Sequence, residues 1–398
     1  MTDINKKNMI GIFAFCFTAM LTNITMGIVA YIIQDYAAMG VDPTLVQNIM
    51  TMPAVVGTFY AFCVGSLHKK IPAKFLMLLS QGCMLGYGLV FFFLGGNCSI
   101  YVLLAAAGLA GVAMGSNNTL LAIALAEAVP NPAKRGGILG ICMSVMNAAG
   151  VLFTTVGGAL AVSRWNNAYI PFFAVAISMV IQFFFPPLGK NTGDPAPAQE
   201  NVKKEKIKLP AKVWIISGHY FIFFLALYVF GLNVSELVIT TYQLGTSAQA
   251  GVASSMVSVG GIVAGMLYGA YSKVLKKFTV PVLMGFTVIG LIIPLLIKNI
   301  FAIFFCGILL GFAMMGANPY IMGLLAEVAP GEQYSKALSV FSGFMNGGMM
   351  VAVTVIAFIT NLVCGDPTHV PTKFMVGAAG AAFCFVTSFF IYAGKDKK

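Results

Sequence analysis

Charge is what this chain has least of. Of its 398 residues only 9% are Asp, Glu, Lys or Arg, against roughly 25% in a soluble domain, and this excludes an ordinary water-soluble globule. Its three His, at 68, 219 and 369, lie in separate segments and make no metal-spaced set, so neither a metal site nor a histidine-based membrane enzyme is expected. The eight Cys are scattered without paired spacing. Six fall in apolar runs and read as apolar fillers; Cys98 and Cys364 fall near one face, as a bridge or as two free thiols. No phosphate-cradling Gly-Lys-Ser/Thr loop occurs, which argues against ATP-driven transport by this chain alone. The N-terminal apolar run has no small-residue cleavage site and reads as a retained first helix rather than a signal peptide.

What the chain has instead is hydrophobic length: 59% apolar residues and a mean hydropathy of +0.91. Runs of about 20 residues, enough to cross a bilayer core, recur near 9–33, 46–66, 75–95, 100–127, 137–161, 167–186, 213–234, 250–271, 279–297, 300–326, 337–362 and 373–393. Lipid gives the backbone no hydrogen bonds, so each run is expected as an α-helix. All Lys and Arg except Arg164, Lys298 and Lys373 fall in segments on one side of these twelve spans. The bias towards basic cytoplasmic loops then places both termini in the cytoplasm, in a multi-pass protein of the cytoplasmic (inner) membrane. The net charge of +11 reads as topology and as attraction to anionic membrane lipid, not as a nucleic-acid surface. Trp165 and Trp214 fall near interfaces, where indole rings prefer to sit.

The chain is a duplication. Residues 111–130, GVAMGSNNTLLAIALAEAVP, and 311–330, GFAMMGANPYIMGLLAEVAP, share Gly, Ala, Met, Asn, Ala, Glu and Pro at a shift of 200. Gly57 and Gly65 fall on Gly261 and Gly269 at a shift of 204, and Met146-Asn147 falls on Met345-Asn346 at 199. The polar, Pro-bearing stretch 187–211 has linker composition. It separates an N-terminal half, 1–186, from a C-terminal half, 212–398, and the expected fold is all-α: two pseudo-symmetric six-helix bundles. An even span count per half makes the repeats parallel, related by an axis along the membrane normal.

With six plus six helices, a basic central loop, short basic loops after spans two and eight, and the acidic-Pro-basic-Gly junction LAEAVPNPAKRGGILG, the chain resembles the major facilitator superfamily over nearly its whole length. Departures are visible. Lys69 and Lys273 occupy the position where the family's loop usually carries aspartate, and span five lacks the Gly-Pro of the drug:proton antiporters. The resemblance implies a secondary carrier with alternating access, no cofactor and no covalent chemistry.

Glu127 and Glu327 end matched spans at the negative pole of the helix dipole, which disfavours a carboxylate by roughly 0.3–1 kcal/mol. With Lys69 and Arg135 in the first copy, and Lys273 and Lys336 in the second, they make a candidate cytoplasmic gate. The alternative is a pair of solvated interfacial acids, since surface pairs contribute only ~0–1 kcal/mol. Asn23, Asn117, Asn118, Asn147, Asn318 and Asn346 fall mid-span, and Ser342 precedes Asn346 on one helical face. An amide in lipid seeks protein or water, so these residues line a substrate cavity or bond helix to helix. Asn118 and Glu127 are nine residues apart, which at about 100° per residue puts them on opposite helix sides with different tasks. Glu236, at the outer half or outer end of span seven, is the candidate coupling-proton site, or else an exposed loop acid. His219 reads as a core residue or a proton relay. Asp35 ends span one and reads as solvated. Pro53 and Pro319 are expected to bend their helices, and glycine stripes at 108, 111 and 115 and at 343, 347 and 348 to let helices approach.

No Lys or Arg falls near a span centre, so the solute is expected to be small, polar, and neutral or weakly charged. The carrier would be a proton symporter through Glu236, working as a monomer. The alternatives are an organic-anion exchanger or uniporter using Arg164 or helix dipoles and, more distantly, a non-transporting sensor or an enzyme.

Overall fold

The computed structural model describes residues 6–68, 71–129, 132–185, 209–330 and 332–392. Among these residues every regular element is helical: α1 Lys6–Thr18, α2 Ile24–Ala38, α3 Pro43–His68, α4 Ala73–Leu94, α5 Ile100–Ala128, α6 Pro132–Leu160, α7 Phe173–Phe184, α8 Ala211–Glu236, α9 Ser247–Leu275, α10 Thr279–Leu296, α11 Ile300–Val328, α12 Glu332–Cys364 and α13 Val370–Ile391. They fall on the twelve expected spans one for one, with α1 and α2 sharing the first. Ten stretches are long and apolar enough to cross a membrane on those criteria alone. One of them, Ser247–Leu296, holds two of the expected spans, and α3 is not among the ten.

Two spans are not plain α-helix. The first breaks at a 3-10 turn over Leu21–Asn23 between α1 and α2, and span six opens on a 3-10 segment, Trp165–Phe172, before α7. A third irregularity ends span seven, where α8 passes into a π turn over Leu237–Thr241. Pro53 and Pro319 sit inside α3 and α11, both of which run on through them.

The helices gather into two units. The first holds Met1–Thr25 and Met52–Glu205; the second holds Met26–Thr51 and Lys206–Lys398. Residues 26–51 belong to the first sequence half, yet they pack with the residues that follow the linker. In the first unit, Met9, Phe15, Met77, Leu120 and Met146 share a core cluster. Several polar side chains there are bonded internally. Thr25 Oγ1 meets Tyr87 Oη at 2.6 Å and Tyr169 Oη at 3.0 Å, and Asn166 donates to the carbonyls of Phe91 and Gly95 at 3.1 and 2.8 Å. Trp165, at the start of span six, is buried against Tyr169 and Gly95; Trp214 is half-exposed.

The duplicated glycines explain the tightest crossings. In the first unit a Cβ on Gly111 would lie 2.6 Å from the Pro53 carbonyl oxygen, and one on Gly57 would lie 3.1 Å from that of Gly111. In the second unit the match of Gly111 repeats this: a Cβ on Gly311 would overlap the Val257 carbonyl, while one on Gly261, the match of Gly57, would lie 2.8 Å from Met315 Cγ and 3.9 Å from the Gly311 carbonyl oxygen. Only a residue without Cβ lets α3 meet α5, and α9 meet α11, backbone to backbone. Of the second stripe, Gly348 packs on the backbone of Phe221, while Gly343 has nothing near it.

Gly111→Leu and Gly311→Leu are therefore expected to destabilise the detergent-solubilised protein by at least about 1–3 kcal/mol. Gly265→Leu, where a Cβ meets open space, is expected to leave thermal unfolding unchanged. Equal losses in all three would remove the close-approach argument.

Candidate functional site

One cluster of charged and amide side chains lies buried in the second unit, and three helix ends build it. Asp42 starts α3: its Oδ1 accepts from the Leu45 amide at 3.1 Å ahead of Pro43, the cap-then-proline order that suits a helix start. This start sets Gln47 in the first turns of α3. Asn233 and Glu236 are three apart in the last turn of α8 and so share a face. On the other side, Asp366 accepts from the Thr368 amide at 2.8 Å and from its hydroxyl at 2.6 Å, and this turn leads into α13, where Lys373 lies in the first turn. The Thr368 bonds hold the Asp366 carboxyl below its usual pKa.

The four side chains form one network. Gln47 Nε2 donates to Glu236 Oε2 at 2.8 Å and to Asn233 Oδ1 at 3.2 Å. Lys373 Nζ donates to Gln47 Oε1 at 3.2 Å and stands 3.9 Å from Glu236 Oε2. Asn233 Nδ2 turns back to the Val229 carbonyl at 2.8 Å. The amide of Gln47 can face only one way, because a flip would put its NH2 on the ammonium and its oxygen on a carboxylate. Glu236 is 8% exposed and Lys373 3%, so both charges are out of water and each needs the other. Lys373, moreover, is at the helix end whose dipole disfavours a cation, which leaves Glu236 and Gln47 as what holds it.

More of α2 joins this corner. Ser235 Oγ donates to the Gly27 carbonyl at 3.0 Å and accepts from the Ala30 amide at 3.3 Å. Gln34 Nε2 donates to Thr240 Oγ1 at 3.1 Å, and Tyr31 Oη accepts from the Ser247 amide at 3.3 Å. A pocket of about 330 Å³ opens beside Glu236, lined among others by Thr240, Thr241, Asp366, Thr368 and His369.

The pair of matches that fixes the family is sequence-wide. The model of the Major Facilitator Superfamily matches residues 11–241 and again 216–398. The chain belongs to that superfamily. It is thus a multi-pass membrane transporter rather than an enzyme, and the family's twelve-helix fold is the one seen here. A crystal structure of the nucleoside transporter NupG aligns with a TM-score of 0.73 over 98% of this chain and 100% of that one, at 12% identity; at that identity the likeness is one of fold. Curated protein sequences give no match.

The other residues singled out from sequence lie apart from the buried cluster. His219 is satisfied where it is: Nε2 meets the Cys384 carbonyl at 3.1 Å and Thr387 Oγ1 at 3.0 Å, and Nδ1 meets Tyr392 Oη at 3.2 Å. A neutral ring donating from Nε2 and accepting at Nδ1 meets all three. It stands seventeen residues from Glu236, about 25 Å along α8. Asn318 Oδ1 accepts from Tyr220 Oη at 2.8 Å, Asn147 Nδ2 donates to its own helix at the Met143 carbonyl at 2.9 Å, and Asn23 Nδ2 faces Met20 Sδ at 3.9 Å in the 3-10 break. Ser342 and Asn346 are half-buried one turn apart on α12, and Asn117 is buried on α5. Glu327, Lys273 and Lys336 are exposed, and among the described residues no ion pair joins Glu327 to Lys273. Lys69 and the side chains of Asn118, Glu127 and Arg135 lie outside the described residues. Asp35 and Arg164 are exposed, and no disulfide joins Cys98 to Cys364.

Lys373, Gln47 and Asn233 are what sequence reading missed. Lys373 opens an apolar run and looks like an interfacial anchor. The available signal was Glu236 itself, since an acid at the end of an apolar span needs a base when buried and Lys373 lies at the matching end of the last span.

Removing one partner of a buried pair leaves the other charge stranded, at about 3–5 kcal/mol. Lys373→Met should lower thermal stability by that order, and the double variant Glu236→Gln/Lys373→Met should regain most of it. A double variant no more stable than Lys373→Met would show that the two charges do not sustain each other.

Proposed function

We propose that this superfamily member is a proton-coupled symporter. It carries a small polar, neutral or weakly charged organic solute across the cytoplasmic membrane by alternating access, with both termini in the cytoplasm. The observation that carries the reading is the buried Glu236–Gln47–Lys373 network. Its net charge is zero while Glu236 is ionised and +1 once Glu236 takes a proton, so loading the proton breaks the balance that holds α3, α8 and α13 together. A proton can in this way alter packing without any other ligand at the site. The groups acting on the pair are Gln47 from α3, with Asp42 and Asp366 near Lys373; His369 acts in turn on Asp366.

A neutral cargo fits the same arithmetic. Lys373, buried at this corner, is already matched by Glu236, which leaves no buried, unmatched Lys or Arg among the described residues for a strongly anionic solute. Asn318, Ser342, Asn346, Asn117, Asn118, Asn147 and Asn23 are the residues we assign to solute binding, where amides can both donate and accept. Nucleosides belong in the first panel of solutes because NupG, which shares the fold, is a nucleoside transporter; sugars and amino acids follow, with carboxylates as the contrast.

In liposomes with an imposed inward proton gradient, the wild-type protein should accumulate one of these solutes above its external concentration. Glu236→Gln should only equilibrate it, yet still exchange labelled for unlabelled solute, because exchange needs no net proton movement. Gradient-driven accumulation by Glu236→Gln equal to wild type would refute coupling at this carboxyl. Asn346→Ala should raise KM by about tenfold, the loss of one solute hydrogen bond, with maximal exchange rate unchanged.

A further inference from the structure

Glu236 shows two different oxygens. Oε2 is held by Gln47 and faces Lys373; Oε1 has no bond to any described residue. Glu236 also lines the pocket of about 330 Å³, so Oε1 is the oxygen left to face it. Burial along the pocket wall is graded: Asp366, His369, Thr240 and Thr241 are exposed, whereas Glu236 and Val370 are buried. The pocket therefore runs from solvent at its rim to a single buried carboxyl at its floor. Its lining carries the groups a proton path uses, namely two carboxyl groups, an imidazole and three hydroxyls.

We propose that this pocket is the port through which Glu236 exchanges its proton with the medium, and that His369 and Asp366 at the rim deliver it. The proposal rests on Glu236 being the coupling carboxyl. In the loading step an N–H bond of the His369 imidazolium, or an O–H bond of hydronium, breaks and an O–H bond forms at Glu236 Oε1, directly or through water in the pocket. His369 is left neutral, or water is left behind, and the positive charge passes to the network. Asp366 stays ionised, held by Thr368, and draws protons towards the rim. Lys373 and Gln47 stand on the other oxygen and do not line the pocket, so the ammonium does not block the path. The charged group bearing directly on Glu236 is Lys373 of α13; Asp366 and Asp42, in the loops before α13 and α3, act on Lys373, and His369 acts on Asp366.

The test uses the full chain in liposomes with Cys63, Cys98 and Cys364 changed to Ser. Thr241→Cys places a thiol on the pocket wall, and Ser163→Cys places one at an exposed position on the first unit. Each is labelled to completion with a membrane-impermeant methanethiosulfonate carrying a trimethylammonium group. Proton uptake driven by solute and solute exchange are then read separately. The labelled Thr241→Cys protein should lose solute-driven proton uptake and keep exchange, while the labelled Ser163→Cys protein keeps both. Proton uptake by the labelled Thr241→Cys protein equal to that of the Ser163→Cys control would overturn the port, as would loss of exchange together with proton uptake. Should Thr241→Cys fail to fold, Asp366→Asn and His369→Gln serve: each should slow proton uptake at neutral pH without changing exchange, and an unchanged pH profile in both overturns the proposal. Failure of the coupling reading itself has a different signature, which is proton uptake by Glu236→Gln at the wild-type rate.

Discussion

A backbone in lipid has nothing to bond with but itself, and every polar side chain among the helices must find a partner inside the protein. That constraint explains most of this molecule. It makes every described element helical, and it draws several buried polar groups into closed sets, although the hydroxyls of Ser80, Ser217, Ser254 and Thr360 stay unbonded among the described residues. Thr25 bonds Tyr87 and Tyr169, Asn166 bonds the end of α4, and His219 bonds Tyr392, Cys384 and Thr387. Against this background the Glu236 network is different in kind. The other sets are neutral and complete as they stand. The Glu236 set is held by two opposite charges and an amide wedge, and one carboxylate oxygen remains unbonded. A buried polar set that is stable in only one protonation state is costly as scaffolding and useful as a switch.

Much of the fold is legible in the sequence because lipid imposes simple periodicities. Span lengths, the six-plus-six division and the duplicated glycines are local patterns, and the structure shows what the glycines are for: Gly111 on Pro53 in one copy, Gly311 on Val257 in the other. The breaks are less legible. Asn23 lies in an apolar run with no Gly or Pro beside it, yet the first span changes to a 3-10 turn there. Nothing in LVITT marks the π turn after Glu236. Both depend on tertiary packing, which overrides local preference in a uniformly apolar segment. The packing of residues 26–51 with those after the linker is likewise a fact of three dimensions that no repeat at a shift of 200 can reveal.

The site was half-legible for a specific reason. Glu236 stands out because an acid beside an apolar run is rare. Lys373 does not, because a lysine at a span end is common and is normally read as a snorkelling anchor. What separates the two cases is burial, and burial follows from which helices surround α13, not from α13 itself. Gln47 and Asn233 are quieter still, as amides near helix ends with ordinary capping roles. Asp42 and Asp366 carry those roles here, one at the start of α3 and one before α13, and so free Gln47 and Lys373 to turn inward.

Finding Lys373 buried adds to the solute argument without changing its direction. The premise is that no Lys or Arg lies near a span centre; Lys373 is a buried base in the first turn of α13, and Glu236 cancels it. A cargo meeting this corner would see no net charge while Glu236 is ionised, and would meet a positive charge only after a proton has been loaded. A neutral solute is indifferent to that change, so its binding need not fight the coupling step. A strongly anionic solute would instead bind best to the protonated form, and its own charge would tie cargo and proton together at one place. The two cases differ in where coupling energy resides: in helix packing at the ends of α3, α8 and α13 for the neutral solute, and in direct ion pairing with Lys373 for the anion. The 3.9 Å separation of Lys373 from Glu236, with Gln47 between them, favours the first. A base poised to trade its carboxylate for a cargo anion would have to leave both Gln47 and Glu236 at once from a position 3% exposed.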